Sequence, residues 1–163
     1  MSSEPIFKTL AGTPSWGRGR VFGSITETIG QTPLIRLGKL VEQANIRAEI
    51  LLKLEFFNPL GSVKDRIGVA MIDIMESSGQ ISPGESILLE PTPGNTGVAL
   101  AFVAAAHDYD LILTMPESMS LERRRLLTHM GARLELTPAE KGMRGGIERA
   151  NELTELMPNA VQP

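Results

Sequence analysis

The sequence predicts an α/β protein, a three-layer sandwich in which a mostly parallel β-sheet lies between layers of helices. Short apolar segments at residues 87–90, 111–115 and 133–137 have the length of strands, and segments with helical spacing follow them at 95–106, 120–130 and 143–156. Strands that alternate with helices in this way are joined by right-handed crossovers, so neighbouring strands run parallel. Residues 87–89 and 111–113 contain no polar side chain, as expected for strands covered on both faces.

The first part of the chain has a different character. Residues 1–23 are rich in Gly and show neither helical nor alternating spacing, which predicts a loose arm. A short capped turn at 24–27, a strand at 34–37, helical turns at 41–45 and a second strand at 50–54 follow. We therefore predict two units. Residues 1–48 form the arm and first strand, and residues 49–163 form a smaller α/β domain with a parallel sheet of about four strands.

Composition excludes several classes of function. The chain of 163 residues has 19 acidic and 16 basic side chains, a formal charge of -3, so nucleic acid is not an expected partner. The absence of cysteine excludes disulfides, thiolate metal sites and a cysteine nucleophile, and favours a reducing cytoplasmic location. The longest uncharged apolar run, residues 98–106, is too short to span a bilayer, so no membrane segment is expected.

A candidate catalytic lysine lies where residues 58–66, Asn-Pro-Leu-Gly-Ser-Val-Lys-Asp-Arg, turn from the second strand into a helix. Ser62 and Asp65 have the spacing of a capping pair, which puts Lys64 in the first helical turn. The free backbone amides there carry partial positive charge, so an ammonium group beside them is unfavourable. A neutral amine is the form that Schiff-base chemistry with an aldehyde requires. A surface lysine that points into water is the alternative, and these residues alone leave both open.

The helix that begins after Ser62 is predicted to end at Gly79. Its apolar residues fall on one stripe, which we expect to face the core, and Asp73 and Glu76 lie outside that stripe. The stripe consists of Val63, Ile67, Ala70, Met71 and Ile74.

A second loop, residues 90–97 with the sequence Glu-Pro-Thr-Pro-Gly-Asn-Thr-Gly, also runs from a strand into a helix. Gly94 lets backbone amides approach a ligand, and Thr92, Asn95 and Thr96 add side-chain donors, so the loop suits a carboxylate or phosphate. A well-capped turn is the alternative. The loop lacks the glycine frames of nucleotide hydrolases and dinucleotide-binding folds. Because ligands of parallel sheets bind beyond the carboxyl ends of the strands, both loops are expected at one edge.

No metal site is predicted. His107 and His129 have no histidines or carboxylates at metal-ligand spacing in the sequence, so both are expected to be ordinary residues at helix ends.

Four ordered motifs carry a family resemblance. They are residues 28–34 (Thr-Ile-Gly-Gln-Thr-Pro-Leu), 58–66, 90–97 and 119–124 (Met-Ser-Leu-Glu-Arg-Arg). From about Ser24 to the last residue, the chain closely resembles the pyridoxal-phosphate-dependent O-acetylserine sulfhydrylases, the cysteine synthases, with cystathionine beta-synthase as a close relative. The resemblance implies the tryptophan-synthase-beta-like fold of these enzymes, known as fold type II.

The resemblance also implies site roles, with pyridoxal 5'-phosphate as cofactor. Lys64 would form the Schiff base with the cofactor and act as the base that removes the alpha proton of the substrate. Asn95 would hydrogen-bond the ring hydroxyl of the cofactor. Thr92, Gly94, Asn95 and Thr96 would grip the alpha-carboxylate of the amino-acid substrate.

The implied activity is that of a transferase of cysteine biosynthesis from serine. It converts O-acetyl-L-serine and sulfide to L-cysteine and acetate by beta-replacement. The resemblance further implies a homodimer for the full-length family and serine acetyltransferase as a candidate partner.

Two departures from the family pattern are visible. Pro93 stands where the substrate loop commonly has serine, which affects the strength or choice of substrate. The chain also has about half the family length, and the absent half would hold the loop that binds the cofactor phosphate. We therefore expect this N-terminal half alone to bind the cofactor weakly and to turn over little. Another beta-family enzyme, such as cystathionine beta-synthase or a serine or threonine dehydratase, stays open, as does a non-catalytic remnant or interaction fragment.

Overall fold

The computed structural model describes residues 16–92 and 94–163, so most of the predicted arm and Pro93 lie outside the described residues. Strands and helices alternate along most of the chain, as predicted. The strands are β1 (Leu34–Arg36), β2 (Leu51–Lys53), β3 (Ile87–Pro91), β4 (Asp110–Pro116), β5 (Arg133–Thr137) and β6 (Ala160–Val161). The helices are α1 (Gly38–Gln43), α2 (Lys64–Ser77), α3 (Asn95–His107), α4 (Leu121–His129) and α5 (Gly142–Leu156).

A parallel four-stranded sheet with the order β5-β4-β3-β6 confirms the predicted α/β class. The strands that form this sheet are not all the predicted ones. β6 has only two residues and was not predicted, whereas the strand predicted at 50–54 is β2, which pairs with β1 in a separate antiparallel sheet. β1 and β2 lie on either side of the predicted boundary after residue 48, and that division stays a prediction.

Helices cover both faces of the parallel sheet, which confirms the three-layer arrangement. Side chains of β3 and β4 alternate between the faces because successive residues of a strand point in opposite directions. Leu88 and Leu113 pack in a core with residues of α2, α3 and α4, whereas Leu89 and Ile112 pack with α5 on the opposite face. On the α5 face the buried Thr114 hydroxyl donates to the main-chain oxygen of Gly146 at 2.7 Å.

The buried face of α2 is not the predicted stripe. Ile72 and Met75 are buried, whereas Val63, Ile67 and Ile74 are exposed, Ile74 to 65%. The reason lies in the packing partner, since α3 approaches α2 at glycine. A Cβ atom at Gly68 would lie 3.0 Å from the Cβ of Ala99, so the two backbones are in close contact there. The prediction that the stripe faces the core was therefore wrong.

Polar contacts attach the first described residues to the loop that precedes α2. The guanidinium of Arg18 donates to the main-chain oxygens of Thr28, at 2.7 Å, and Gly30, at 2.9 Å. The Gly30 amide donates to Asn58 Oδ1 at 2.9 Å, and this contact is buried. The turn at 28–31 is thereby held against the start of the Lys64 loop. Among the described residues, no helix is long and apolar enough to cross a membrane.

Candidate functional site

Lys64 begins α2 and its side chain is exposed. Its backbone amide donates to Ser62 Oγ at 3.1 Å, so Ser62 accepts at the helix start as predicted. The Asp65 carboxylate accepts from the Ser62 hydroxyl at 3.4 Å, as expected of the pair, and it also accepts from the Leu60 amide at 2.8 Å, which closes the loop. Within the part of the chain that the structure describes, the Lys64 amine has no hydrogen bond or ion pair, which leaves it available to a ligand.

Asp65 is fully buried beneath this loop. Burial raises the pKa of its carboxyl group, and the amide of Leu60 and the hydroxyl of Ser62 oppose that shift by stabilising the charged form. The Asp65 carboxylate therefore holds the loop closed, although its removal from water costs free energy.

An ion pair between Arg66 and Glu55 also holds the first turn of α2 in place. The Arg66 guanidinium donates to both carboxylate oxygens of Glu55, at 2.8 and 3.0 Å, and the Thr32 hydroxyl donates to the same carboxylate at 2.7 Å. Hydrogen bonding from Arg66 is the main cause that lowers the pKa of Glu55 to about 2. Sequence reasoning assigned no role to Glu55, since nothing in its spacing indicates that it pairs with Arg66.

The predicted substrate loop leads from β3 into α3. Thr92 is buried, and its hydroxyl accepts from the Gly94 amide at 3.3 Å. Asn95 is exposed as the first residue of α3, and Thr96 is half-buried. Among the described residues, no side chain caps this helix, so the amides of its first turn can bind an anion. Pro93, the predicted departure from the family loop, lies outside the described residues.

Two contacts show that α2 and α3 run side by side in the same direction. Gly68 packs against Ala99, and two turns further on the Glu76 carboxylate lies 3.3 Å from the His107 ring. Both pairs are separated by the same 31 residues. Lys64 and Asn95 share this separation and lie one turn before Gly68 and Ala99. The structure therefore brings Lys64 and Asn95 to the same end of two neighbouring helices, although 30 residues of chain lie between them.

Comparisons with known proteins identify the family of the chain. The family described as "Pyridoxal-phosphate dependent enzyme" matches residues 25–162 of the chain. The chain belongs to this family of pyridoxal-phosphate-dependent enzymes. Its fold is therefore the predicted one, and the family assignment made from the four motifs is confirmed.

Among the relatives, a cysteine synthase of Flavobacterium sp. is 51% identical over 142 residues, which are 87% of this chain and 45% of that protein. The crystal structure of cysteine synthase from Entamoeba histolytica matches with a TM-score of 0.83 and 40% identity, over 89% of this chain and 44% of that one. Cystathionine beta-synthase from Bacillus anthracis matches with a TM-score of 0.72 and 37% identity, over 88% and 53%. The chain thus spans about half the length of these relatives, or less.

Proposed function

We propose that this chain carries the lysine and the substrate loop of a cysteine synthase, which forms L-cysteine and acetate from O-acetyl-L-serine and sulfide. The observation that carries the proposal is the shared register of α2 and α3, which puts Lys64 and Asn95 at one end of the helix pair. The similarity to cysteine synthases supports the choice of reaction.

The described residues fit the reactive end of pyridoxal phosphate. The amine of Lys64 is exposed and has no hydrogen bond or ion pair among the described residues. An amine must be accessible in this way to form a Schiff base with an aldehyde. Asn95 offers an exposed amide at the same end of the helix pair, where it can hydrogen-bond the ring hydroxyl. When bound, the cofactor supplies an electron sink that makes the alpha proton of an amino acid acidic.

Once the amino group of the substrate displaces it from the cofactor aldehyde, Lys64 would act as the base of the reaction. Its Nζ would accept the alpha proton of the bound amino acid as acetate leaves the beta carbon. After sulfide adds to the beta carbon, a proton returns to the alpha carbon and gives L-cysteine. Two contacts hold the first turn of α2: the hydrogen bond from the Lys64 backbone amide to the Ser62 hydroxyl, and the ion pair between Arg66 and Glu55. They therefore fix the position of the Lys64 backbone, from which the side chain extends.

The loop before α3 orients the substrate. The substrate alpha-carboxylate accepts from Thr92, Gly94, Asn95 and Thr96, since a carboxylate at an uncapped helix N-terminus satisfies amides that have no helical partner. Gly97 permits this arrangement because Thr92 lies directly against it: a Cβ atom at Gly97 would lie 2.8 Å from Thr92 Cγ2.

The isolated chain is expected to be a weak enzyme. It spans 45% of the Flavobacterium cysteine synthase, and the resemblance assigns the cofactor phosphate to a loop outside the matched part. We expect a cytoplasmic protein whose full-length family members form homodimers, with serine acetyltransferase as a candidate partner.

Reduction of the chain with borohydride in the presence of pyridoxal phosphate tests the proposal directly. Mass spectrometry should locate the label on Lys64, and Lys64→Ala should lose it. Lys39→Ala is the matched control, because Lys39 is an exposed lysine at the start of another helix and its replacement should leave the labelling of Lys64 unchanged. Label spread over many lysines, or retained at the same level in Lys64→Ala, would contradict the proposed site.

Product analysis separates the enzyme alternatives. Cysteine from O-acetylserine and sulfide supports the proposal, whereas cystathionine from serine and homocysteine supports a relative of cystathionine beta-synthase. Keto-acid formation from serine or threonine supports a dehydratase. Capture of serine acetyltransferase without any of these activities supports a non-catalytic interaction fragment.

A further inference from the structure

A second cluster of polar side chains lies at the opposite end of α2 and α3 from Lys64 and Asn95. Asp73 and Glu76 are in the last turns of α2, and His107 is the last residue of α3. One ligand atom from each lies within 4.8 Å of the others. With a rise of about 1.5 Å per residue, the cluster is about 14–18 Å along α2 from Lys64. It is therefore separate from the Lys64 site, and a ligand bound here would be independent of the proposed cysteine synthase activity.

The spacing of the cluster matches that of ligands around one metal ion. Glu76 Oε1 lies 3.3 Å from His107 Nδ1. Two ligands with bonds of about 2.0–2.1 Å to one tetrahedral ion are about 3.3–3.4 Å apart. Asp73 lies slightly further away, but its side chain is exposed and has no hydrogen bond or ion pair within the described ranges, so a small rotation would complete the set.

The second ring nitrogen of His107 also has a partner. Its Nε2 lies 3.4 Å from the hydroxyl oxygen of Thr26, which is buried. Histidines that bind metals usually donate the other ring N–H to a neighbouring oxygen. Without an ion, Nδ1–H can donate to Glu76. With Nε2–H donating to Thr26 instead, the lone pair of Nδ1 is free to bind a cation beside the Glu76 carboxylate.

Tyr109 lies next to this cluster and adds a buried hydroxyl to it. Its side chain is only 7% exposed, and its hydroxyl makes no hydrogen bond of normal geometry among the described residues. The polar group next to this hydroxyl is the Glu76 carboxylate. A buried hydroxyl without a partner is uncommon in proteins. Beside Glu76, it is positioned to donate to that carboxylate or to water on an ion held there.

We propose that Asp73, Glu76 and His107 bind a divalent transition-metal ion, with Zn²⁺ as the best match. One imidazole and two carboxylates form a donor set that suits such ions, and a water molecule would complete four-coordination. The ion would join the ends of α2 and α3 and stabilise their contact. Sequence reasoning expected no metal here because the histidine is 31 residues from the nearer carboxylate.

The test uses the chain without a histidine tag, stripped of metal by a chelator and titrated with zinc chloride by calorimetry. We expect one Zn²⁺ per chain and a higher melting temperature when zinc is present. Asp73→Asn should weaken binding at least about tenfold, the scale seen when metal sites lose a supporting group. It should leave the metal-free chain equally stable, because Asp73 has no hydrogen bond or ion pair to lose within the described residues.

Two further variants complete the test. His107→Gln should also weaken binding, whereas His129→Gln, which alters the other histidine at a helix end, should have no effect. The proposal is overturned if zinc does not bind with one-to-one stoichiometry, if Asp73→Asn binds as tightly as the unaltered chain, or if His129→Gln binds as weakly as His107→Gln. Tighter binding of Mg²⁺ than of Zn²⁺ would overturn the choice of a transition metal. If His107→Gln does not fold, Asp73→Asn decides.

Discussion

Replacement of Gly97 by alanine tests how the substrate loop is packed against α3. A Cβ atom at this position would lie 2.8 Å from Thr92 Cγ2 and 3.2 Å from the main-chain oxygen of Thr92, against about 3.5–4.0 Å for ordinary carbon contacts. Thr92 would therefore have to move by roughly 0.7–1 Å. Since Thr92 is buried and leads into a helix, its displacement would also move the hydroxyl that binds the Gly94 amide.

Two free-energy terms oppose each other in this variant. Alanine in place of glycine stabilises a helix by about 1 kcal/mol, whereas overpacking costs about 1–3 kcal/mol. We therefore expect Gly97→Ala to lower the free energy of unfolding by about 1 kcal/mol, which is a fall of about 2–4 °C in melting temperature for a chain of this size.

Urea unfolding followed by circular dichroism measures this change. Gly38→Ala is the matched control, because Gly38 is also in the first turns of a helix but a Cβ atom there would meet nothing within 4 Å. The control should be as stable as the unaltered chain or slightly more stable. A Gly97→Ala variant that gains about 1 kcal/mol would refute the close contact with Thr92.

Two further predictions concern the core and the ion pair behind Lys64. Leu113→Ala should destabilise the fold by about 2–5 kcal/mol in urea unfolding, since Leu113 is fully buried in the sheet, whereas Leu156→Ala at an exposed helix end should change stability little. Glu55 has a folded pKa of about 2 against an ordinary value of 4.5, so its contribution to stability is present above pH 4.5 and is lost as the pH falls from there towards 2. Acid titration of the unaltered chain and of Glu55→Gln should show stabilities that converge over this interval. A constant difference would contradict the lowered pKa.

The alternation of strands and helices could be predicted from the sequence because it is a local property. Apolar strands with no polar residue need cover on both faces, and the parallel sheet follows from their alternation with helices. The two-residue strand β6 was missed because so short a segment has no detectable spacing. The strand at 50–54 was recognised, but its pairing with β1 depends on contacts that local spacing does not contain.

The buried face of α2 also could not be predicted from local spacing. Apolar residues occur around much of this helix, so spacing alone favoured the stripe through Ile67 and Ile74. The structure buries Ile72 and Met75 instead, because Gly68 allows α3 to approach on that side. The sequence singled out Gly94 and Lys64 as site residues through their motifs, yet no motif indicated the Glu55–Arg66 pair that holds the first turn of α2.

By itself, the sequence determined the α/β class, the family and the two loops, because each of these depends on residue types within a short segment. Only the tertiary structure decided which residues of separate segments meet. The register of α2 and α3 brings Lys64 level with Asn95 at one end, and Asp73 and Glu76 close to His107 at the other. That register results from the close packing of Gly68 against Ala99, a contact between residues far apart in the chain that no local pattern specifies.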